Sequence, residues 1–165
     1  IGDWSSDVCS SDLRKWSLYM KRVVAAIVLM ASSSFVMADE VRCLATNIYW
    51  EARNQSIQGM YAVADVTLNR VKDKRWPSTV CEVVKQRRKG VCQFSWFCDG
   101  KPDLPRTKAS YNLAHMIAWV RYKEKDSPVL PSNIYWYHAA SVNPYWADAY
   151  SHKVTIGDHL FYSDR

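Results

Sequence analysis

The chain has 165 residues, of which 48% are hydrophobic and 23% are charged, and its formal net charge is +6 at pH 7. At roughly 100–200 residues per domain, this length predicts a single globular domain. The aromatic content of 13%, with only five glycines and six prolines, excludes a disordered chain, a collagen-like repeat and a coiled coil.

Residues 20–38 show the three parts of a secretory signal peptide. Lys21 and Arg22 give a basic start, a nine-residue apolar run covers 23–31, and Val36-Met37-Ala38 offers a cleavage site. An apolar run of this length is well below the roughly 20 residues of a transmembrane helix. We therefore expect cleavage after Ala38, export to the periplasm or the medium, and no stable membrane insertion.

Residues 1–19 lie ahead of this signal, although a signal peptide acts from the extreme N-terminus, so we expect them to be a non-native leader. The expected mature domain, residues 39–165, keeps 18 basic and 13 acidic side chains after the loss of four basic and three acidic ones, a net charge of +5. Such a surface favours polyanions. Because an exported protein rarely meets nucleic acid, we expect an acidic polymer of the cell envelope as the partner.

Four cysteines remain in residues 39–165: Cys43, Cys81, Cys92 and Cys98. An even number in an exported domain indicates two disulfides, with three possible pairings. Cys92 and Cys98 enclose a five-residue loop and can bridge easily, which leaves Cys43 to pair with Cys81. Zinc sites use paired CxxC or Cys/His spacings that do not occur in this sequence, so we expect no metal site.

Two amphipathic helices are predicted at the start of this domain. The first covers residues 40–53, and the acidic Asp39-Glu40 pair suits the positive end of its dipole. Residues 54–56 break the pattern before the second helix. The residues predicted to face inward are Val41, Leu44, Ala45, Ile48, Tyr49 and Ala52 in the first helix, and Met60, Val63, Ala64, Thr67, Leu68 and Val71 in the second.

A shorter helix, about 80–87, is predicted by Thr79 and Glu82, which have the spacing of a capping box. Residues 88–106 hold two cysteines, two prolines and several basic side chains, and are predicted to form a cross-linked surface loop. A long helix is predicted over residues 107–123. The residues expected on its inward face are Leu113, Met116, Ile117 and Val120.

Beyond Pro131 the composition changes. Residues 134–138 and 159–162 are short, aromatic and β-branched, which is typical of strands. The sequence therefore predicts a mainly helical α+β domain with a small antiparallel β element near its C-terminus.

Glu51 is the most informative polar residue, because at helical spacing it lies near the line through Leu44 and Ile48, at the edge of the apolar stripe. Loss of hydration there would raise the pKa of its carboxyl group, and such a glutamate can donate a proton near neutral pH. The alternative is a surface glutamate that pairs with Arg53 or another cation near the helix end.

Four further polar residues are candidates for a binding site. Gln93 and Ser95 lie at the mouth of the Cys92–Cys98 loop, and Tyr137 and His138 lie at a strand end, in a domain whose runs of aromatic residues suit carbohydrate. The alternatives are an ordinary solvated loop, a structural histidine, and aromatic side chains that fill the core. The sequence contains no HExxH, nucleophile-elbow or phosphate-binding glycine motif.

Residues 43–162 also contain a series of short blocks in one order. They are Leu44-Ala45-Thr46-Asn47-Ile48-Tyr49-Trp50-Glu51-Ala52-Arg53; Gly59; Ala62-Val63-Ala64; Leu68-Asn69-Arg70-Val71; Trp76-Pro77-Ser78-Thr79-Val80-Cys81; Cys92-Gln93-Phe94-Ser95; Asp99-Gly100-Lys101; Tyr137-His138-Ala139; Pro144 with Trp146-Ala147; and Ile156-Gly157 with His159, Phe161 and Tyr162. In these blocks the chain resembles the spore-cortex-lytic type of bacterial cell wall hydrolase, the SleB-like family.

The resemblance implies a lysozyme-like domain, related to goose lysozyme and lytic transglycosylases, that acts on the glycan strands of peptidoglycan. The glutamate of the family's Tyr-x-Glu-Ala-Arg block is the catalytic acid, and it corresponds to Glu51. The expected substrate-binding residues, all within matching blocks, are Tyr49, Asn69, Gln93, Ser95, Tyr137 and His138. We expect no cofactor and a monomeric protein.

Cleavage of a glycosidic bond ordinarily uses two carboxylates. Asp65 and Asp99 are candidates for the second, but neither has a recognisable pairing with Glu51. Lytic transglycosylases of related fold use one glutamate, so we expect cleavage between N-acetylmuramic acid and N-acetylglucosamine that leaves 1,6-anhydro-muramic ends. The alternatives are a hydrolytic muramidase, an N-acetylmuramoyl amidase and a non-catalytic peptidoglycan-binding module.

Overall fold

The computed structural model describes residues 7–124 and 127–165. The chain divides into two compact units, Ile1–Ala38 and Asp39–Arg165. The leader over 1–19 and cleavage after Ala38 remain predictions, and the first six residues of that leader lie outside the described residues. No helix in the described part of the chain has an apolar stretch long enough to cross a membrane.

The described residues form four α-helices, five β-strands and two short 3-10 helices, which confirms the predicted mainly helical α+β class. The α-helices are α1 (Asp7–Ala52), α2 (Ile57–Lys72), α3 (Val80–Val84) and α4 (Lys108–Lys123). The strands are β1 (Arg87–Arg88), β2 (Val91–Cys92), β3 (Ile134–Ala139), β4 (Ser151–Ile156) and β5 (His159–Ser163). The 3-10 helices are Ser95–Cys98 and Ala147–Ala149.

The core of Asp39–Arg165 forms around α2. All six residues predicted to face inward from the first helix are buried. Four of the six predicted in α2 are also buried, while Leu68 and Val71 are partly buried. The reason is that α2 also turns Ala62 and Val66 toward a second apolar cluster, which lies beneath the C-terminal sheet. A helix that contacts neighbours on most of its circumference has no single inward stripe.

A buried ion pair joins α2 to α4. Arg121 Nη2 lies 2.5 Å from Asp65 Oδ1, and both side chains are almost completely buried. Asp65 also accepts hydrogen bonds from the backbone N–H groups of Val129, at 2.7 Å, and Leu130, at 3.0 Å. A carboxylate with this set of partners is held as part of the core.

The buried face of α4 differs from the predicted one. Met116 is 57% exposed, whereas Ile117 is buried as predicted. Arg121 must face inward to reach Asp65, and this fixes the rotation of the helix. The buried side chains of α4 are Ala114, Ile117, Ala118 and Arg121.

The Asp39-Glu40 pair does not begin a helix, because α1 starts at Asp7. In this uncleaved chain the pair therefore lies inside the helix, and only cleavage after Ala38 would place it at the positive end of the dipole. Instead, the buried Glu40 carboxylate accepts a hydrogen bond of 2.6 Å from the Val80 N–H, at the start of α3. Thr79 caps the same end as predicted, by accepting a hydrogen bond of 3.2 Å from the Glu82 N–H.

The C-terminal strands form an antiparallel sheet in the order β3–β5–β4. Strands β3 and β5 were predicted, whereas β4 was missed because its Ser-His-Lys start is polar and largely exposed. Tyr135 and Trp136 on β3 both pack against Trp76, but each has its own stacking partner. Tyr135 stacks on Trp76 with ring centroids 5.0 Å apart, and Trp136 stacks on Tyr150 at 3.8 Å.

A side-chain clamp ties the loop after α1 to the turn between β4 and β5. Gln55 Nε2 donates to Asp158 Oδ2 at 3.1 Å, and the Asp158 N–H donates to Gln55 Oε1 at 3.0 Å. Gly157, with a φ of 57°, brings the backbone this close, because a Cβ there would lie 2.5 Å from Gln55 Oε1. The turn needs glycine both for its left-handed conformation and for the space.

Two disulfides are present, with the pairing that the sequence analysis favoured. Cys43–Cys81 joins α1 to α3 across 38 residues of sequence, and Cys92–Cys98 joins β2 to the end of the first 3-10 helix across 6 residues. The predicted surface loop over 88–106 is therefore partly ordered, as a two-stranded hairpin followed by a cross-linked 3-10 turn.

We expect the substitution Gly157→Ala to lower the free energy of unfolding more than Gly100→Ala does. Both glycines have positive φ, and each alanine would cost about 1–2 kcal/mol for the left-handed backbone. Only Gly157→Ala also displaces Gln55, since nothing lies within 4 Å of a Cβ at Gly100. The two lost hydrogen bonds add about 1 kcal/mol each. Equal losses in denaturant unfolding would show that the clamp contributes nothing.

We expect the paired substitution Cys43→Ser and Cys81→Ser to lower the free energy of unfolding by about 4 kcal/mol, against about 2 kcal/mol for Cys92→Ser and Cys98→Ser. The reason is that a longer closed loop loses more entropy in the unfolded chain. Urea unfolding followed by tryptophan fluorescence measures both values. A larger loss from the Cys92 and Cys98 pair would contradict the loop-length explanation.

Candidate active site

Glu51 lies one residue before the end of α1, beside a cavity of about 400 Å³. The helix end and the loop that follows supply one wall of this cavity, including Trp50 and Arg53. The other wall comes from the end of β3, from Asp158 in the turn before β5 and from His159 at the start of β5. The clamp between Gln55 and Asp158 therefore sets the width of the cavity.

The carboxyl group of Glu51 contacts β3 through one hydrogen bond. Tyr137 Oη donates to Glu51 Oε2 at 2.9 Å. Burial raises the pKa of Glu51, while the Tyr137 hydroxyl and the positive charge of Arg70 lower it in part. Burial also raises the pKa of Tyr137 well above its ordinary value, so this hydroxyl stays protonated and can donate. The pair places an exchangeable proton at the edge of an open cavity.

Arg70, on α2, supplies the buried positive charge near this pair. Its side chain is 5% exposed, and Nε donates to the Tyr135 carbonyl at 2.8 Å. The guanidinium also lies 5.4 Å from the ring centroid of Phe94. Nη1 is buried and has no hydrogen-bond partner among the described residues. A cation in this position stabilises the ionised form of Glu51.

His159 is the second buried titratable group of the cavity. Its ring packs edge-on against the Tyr137 ring with centroids 5.3 Å apart, and Nδ1 has no hydrogen-bond partner in the described part of the chain. Burial lowers the pKa of His159, which favours the neutral imidazole near pH 7. A neutral imidazole can accept or donate a hydrogen bond without adding charge beside Glu51.

The carboxylate that shares the cavity with Glu51 is Asp158, which the sequence analysis did not consider. Its carboxylate is held by Gln55. Asp65 is unsuitable as a catalytic partner because it is buried in its ion pair with Arg121. Asp99 lies by Lys101, with Oδ2 and Nζ 3.6 Å apart, and lines a different cavity.

Two residues predicted to bind substrate have structural positions instead. Tyr49 is 1% exposed, and its hydroxyl accepts hydrogen bonds from the N–H groups of Arg106, at 2.9 Å, and Thr107, at 3.1 Å. Asn69 is 4% exposed, and Nδ2 donates to the carbonyl groups of Pro131 and Ile134. Both side chains satisfy backbone groups in the core, which corrects their assignment as substrate contacts.

The other predicted site residues are spread over three environments. Tyr137 contacts Glu51, and Gln93 lines a larger cavity of about 830 Å³ that Tyr137 also borders. Ser95 is exposed at the start of its 3-10 helix. His138 makes its contacts within the sheet: Nδ1 lies 3.0 Å from the Ala139 carbonyl, and Nε2 lies 2.8 Å from the Tyr162 hydroxyl.

A third cavity, of about 270 Å³, extends the site beyond Trp50 and Arg53, which line both it and the Glu51 cavity. Trp50 Nε1 donates to the Asp103 carbonyl at 3.1 Å, and its ring stacks on Trp96 with centroids 6.4 Å apart. The Glu51 cavity is therefore followed, beyond Trp50 and Arg53, by a second concave surface. The described residues contain no group of three or more His, Cys, Asp or Glu side chains placed to hold a metal ion.

The structure resembles two solved catalytic domains. The catalytic domain of the SleB protein from Bacillus cereus has a TM-score of 0.57 and 23% sequence identity, and the match covers 76% of this chain and 91% of that one. The catalytic domain of the germination-specific lytic transglycosylase SleB from Bacillus anthracis has a TM-score of 0.59 and 24% identity, and covers 75% and 93%. At this identity the likeness establishes the fold.

A search of curated proteins gave no match. The sequence model of the family described as Cell Wall Hydrolase matches residues 54–162. The matched segment begins three residues after Glu51 and includes Arg70, Tyr137 and His159. Since the match covers well over half of the sequence, this chain belongs to the cell wall hydrolase family, whose enzymes act on peptidoglycan.

Proposed function

We propose that the protein cleaves the glycan strands of peptidoglycan as a lytic transglycosylase, with Glu51 as the single acid and base. The observation that carries this proposal is the partly buried Glu51 carboxyl group, hydrogen-bonded to Tyr137 and open to a cavity. The likeness to a fold that includes a germination-specific lytic transglycosylase supports the same reaction. The bond cleaved is the one between N-acetylmuramic acid and N-acetylglucosamine.

In the proposed first step, protonated Glu51 gives its proton to the glycosidic oxygen as the bond from C1 of the muramic sugar breaks. N-acetylglucosamine then leaves with a free hydroxyl. The Glu51 carboxylate that results is stabilised by the Tyr137 hydroxyl and by Arg70, both of which favour its ionised form. Burial therefore favours the acid before the step, and the Tyr137 hydroxyl and the Arg70 charge favour the anion after it.

In the proposed second step, the Glu51 carboxylate takes the proton of the C6 hydroxyl of the same muramic sugar. The C6 oxygen bonds to C1 and closes a 1,6-anhydro ring, and Glu51 returns to its protonated form. The substrate thus supplies the nucleophile, and no second carboxylate is required. The positive charge of Arg70 stabilises the Glu51 carboxylate between the two steps, which makes proton donation in the first step easier.

Hydrolysis is the second candidate, because Asp158 lines the same cavity as Glu51. A second carboxylate could activate water, as in other glycosidases. The hydrogen bonds between Asp158 and Gln55 favour a structural role for this carboxylate instead. A peptidoglycan-binding module without turnover would have no need of a partly buried glutamate in an open cavity.

We propose that the mature protein is an exported monomer, since peptidoglycan lies outside the cytoplasmic membrane. The predicted signal peptide over residues 20–38 would direct export, and the net charge of +5 on residues 39–165 would favour contact with the anionic envelope. No bound cofactor is required by the proposed steps.

The first test is the substitution Glu51→Gln, which keeps the shape of the side chain and removes the titrating proton. We expect release of soluble fragments from purified peptidoglycan to fall by about 10²–10⁴-fold, the usual contribution of general acid–base catalysis. The exposed Glu124→Gln is the matched control and should keep full activity. Full activity in Glu51→Gln would overturn the assignment.

Mass spectrometry of the fragments separates the two reactions. Transglycosylation leaves 1,6-anhydro-muramic ends, whereas hydrolysis leaves reducing muramic ends with one additional water. We expect anhydro ends from the unaltered protein and from Asp158→Asn. Reducing ends that disappear in Asp158→Asn would establish the hydrolytic alternative.

The second test is the pH dependence of Tyr137→Phe. Because Glu51 must be protonated to act as the acid, kcat/KM should fall as the pH rises through its pKa. Loss of the Tyr137 hydroxyl removes a contact that lowers this pKa, so the alkaline limb should move to higher pH. The lost stabilisation of the carboxylate should lower kcat by about 10–100-fold.

The control for this test is Tyr61→Phe, a partly buried tyrosine that packs against the core away from the cavity linings described above. Its pH profile should match that of the unaltered protein. A shift of the alkaline limb to lower pH in Tyr137→Phe would contradict the role given to the hydroxyl.

A further inference from the structure

The largest cavity described above, of about 830 Å³, has an unusual charge content. Arg70, Arg88 and Lys89 line it, and no Asp or Glu among the described residues does so. The Glu51 cavity, in contrast, contains carboxylates of its own. Tyr137 borders the larger cavity and donates its hydrogen bond to Glu51, so the positive surface adjoins the proposed cleavage point.

Two of the three cations are presented on the short hairpin of β1 and β2. Lys89 and Gly90 form its turn, and both have positive φ, 50° and 80°, as a two-residue hairpin turn of this kind requires. Arg88 and Lys89 are exposed, and neither has an ion-pair partner within residues 7–124 and 127–165. Two such cations beside a cavity can both form ion pairs with an anionic ligand.

The hairpin is held in place at its base. Cys92 bonds to Cys98, and the Gln93 N–H donates to the Gln86 carbonyl at 3.0 Å. Arg87 lines no cavity described above, and its guanidinium lies 5.7 Å from the ring centroid of Phe97. Side chains alternate along a strand, so Arg88 faces the cavity while its neighbour faces away.

The other walls of this cavity are mainly aromatic, which suits a sugar ring, and Arg70 adds a buried positive charge. Trp136 and Tyr150 stack in the aromatic wall, and Trp146 packs edge-on against Tyr150 at 5.9 Å. Arg70 lines the cavity, with its buried Nη1 lacking a hydrogen-bond partner in the described structure. A neutral N-acetyl sugar needs the aromatic surface but not the exposed charges of Arg88 and Lys89. The charge indicates a ligand that carries several carboxylates.

We propose that this cavity binds the acidic peptide stem attached to the muramic sugar, and that the enzyme therefore favours strands whose stems are intact. The inference rests on the proposed function, because it places a stem-bearing muramic sugar beside Glu51. Stem peptides carry free carboxylates at their acidic residues and at their C-terminus. Arg88 and Lys89 contact these groups from the hairpin, while the aromatic wall contacts the strand.

The test measures binding in the Glu51→Gln background, so that the probes are not consumed. The probes are peptidoglycan tetrasaccharides with intact stems, the same tetrasaccharides with every stem carboxylate amidated, and tetrasaccharides from which the stems have been removed. We expect Arg88→Gln with Lys89→Gln to weaken binding of the intact-stem probe about tenfold, with little change for the other two. On intact strands the same pair should raise KM and leave kcat unchanged.

The matched control is Arg87→Gln with Lys85→Gln, which removes the same charge from exposed residues that line no cavity described above. It should leave binding of all three probes unchanged. Equal weakening by the control pair would mean that net charge alone attracts the substrate. Weakening of all three probes by Arg88→Gln with Lys89→Gln, or of none, would overturn the stem site. Failure of Glu51 as the acid would appear separately, as full activity in Glu51→Gln.

Discussion

The hydrogen bond between Glu51 and Tyr137 joins the end of the first helix to the C-terminal sheet, and the candidate site depends on it. Glu51 comes from α1 and Tyr137 from β3, and the two are 86 residues apart in sequence. Their contact depends on how β3 is fixed against α2. Asn69 binds the carbonyl groups of Pro131 and Ile134, and Arg70 binds the carbonyl group of Tyr135. Two consecutive α2 side chains thus place the strand that supports the carboxyl group.

Opposing electrostatic effects act on this carboxyl group. Burial favours its protonated form, whereas Tyr137 and Arg70 favour its ionised form. Burial alone would give an acid that keeps its proton, whereas the Tyr137 hydroxyl and the Arg70 charge alone would give a carboxylate that does not take one up. In the proposed mechanism Glu51 first gives and then accepts a proton, and such a group needs both influences. Arg70 is itself buried, and its Nη1 has no hydrogen-bond partner among the residues that the structure describes. Burial of this cation costs free energy, and the same burial strengthens its effect on Glu51.

Sequence patterns predicted the elements that have one buried face and missed the features that depend on distant contacts. The stripe of α1 was predicted correctly because its apolar residues repeat at helical spacing, and Glu51 was found at its edge. The buried face of α4 was wrong at Met116, because the ion pair of Arg121 with Asp65 sets the rotation. Strand β4 was missed because an edge strand with polar, exposed residues has little apolar alternation.

Only part of the candidate site was predicted, again because some of its residues come together through contacts between distant elements. Glu51 and Tyr137 were both candidates, but Arg70, Asp158 and His159 were not, although Arg70 and His159 lie in the blocks that carry the family resemblance. Each reaches the site from a different element: Arg70 from α2, Asp158 from a turn and His159 from β5. The position of a polar residue in a periodic pattern can indicate that it is buried. It does not indicate which residue of another element it contacts.

The cavity lined by Glu51 and the cavity lined by Tyr137 differ in charge, and this difference has a consequence for orientation in the proposed mechanism. Leaving and retained sugars lie on opposite sides of the broken bond, and only the muramic sugar carries a stem. The described lining of the Tyr137 cavity has three cations and no carboxylate, which is complementary to the stem-bearing sugar. The Glu51 cavity, with Asp158 and Arg53 in its walls, suits a sugar without net charge. The charge asymmetry would therefore fix the direction of the strand, because the reverse orientation would leave the cations without partners and bring the stem toward Asp158.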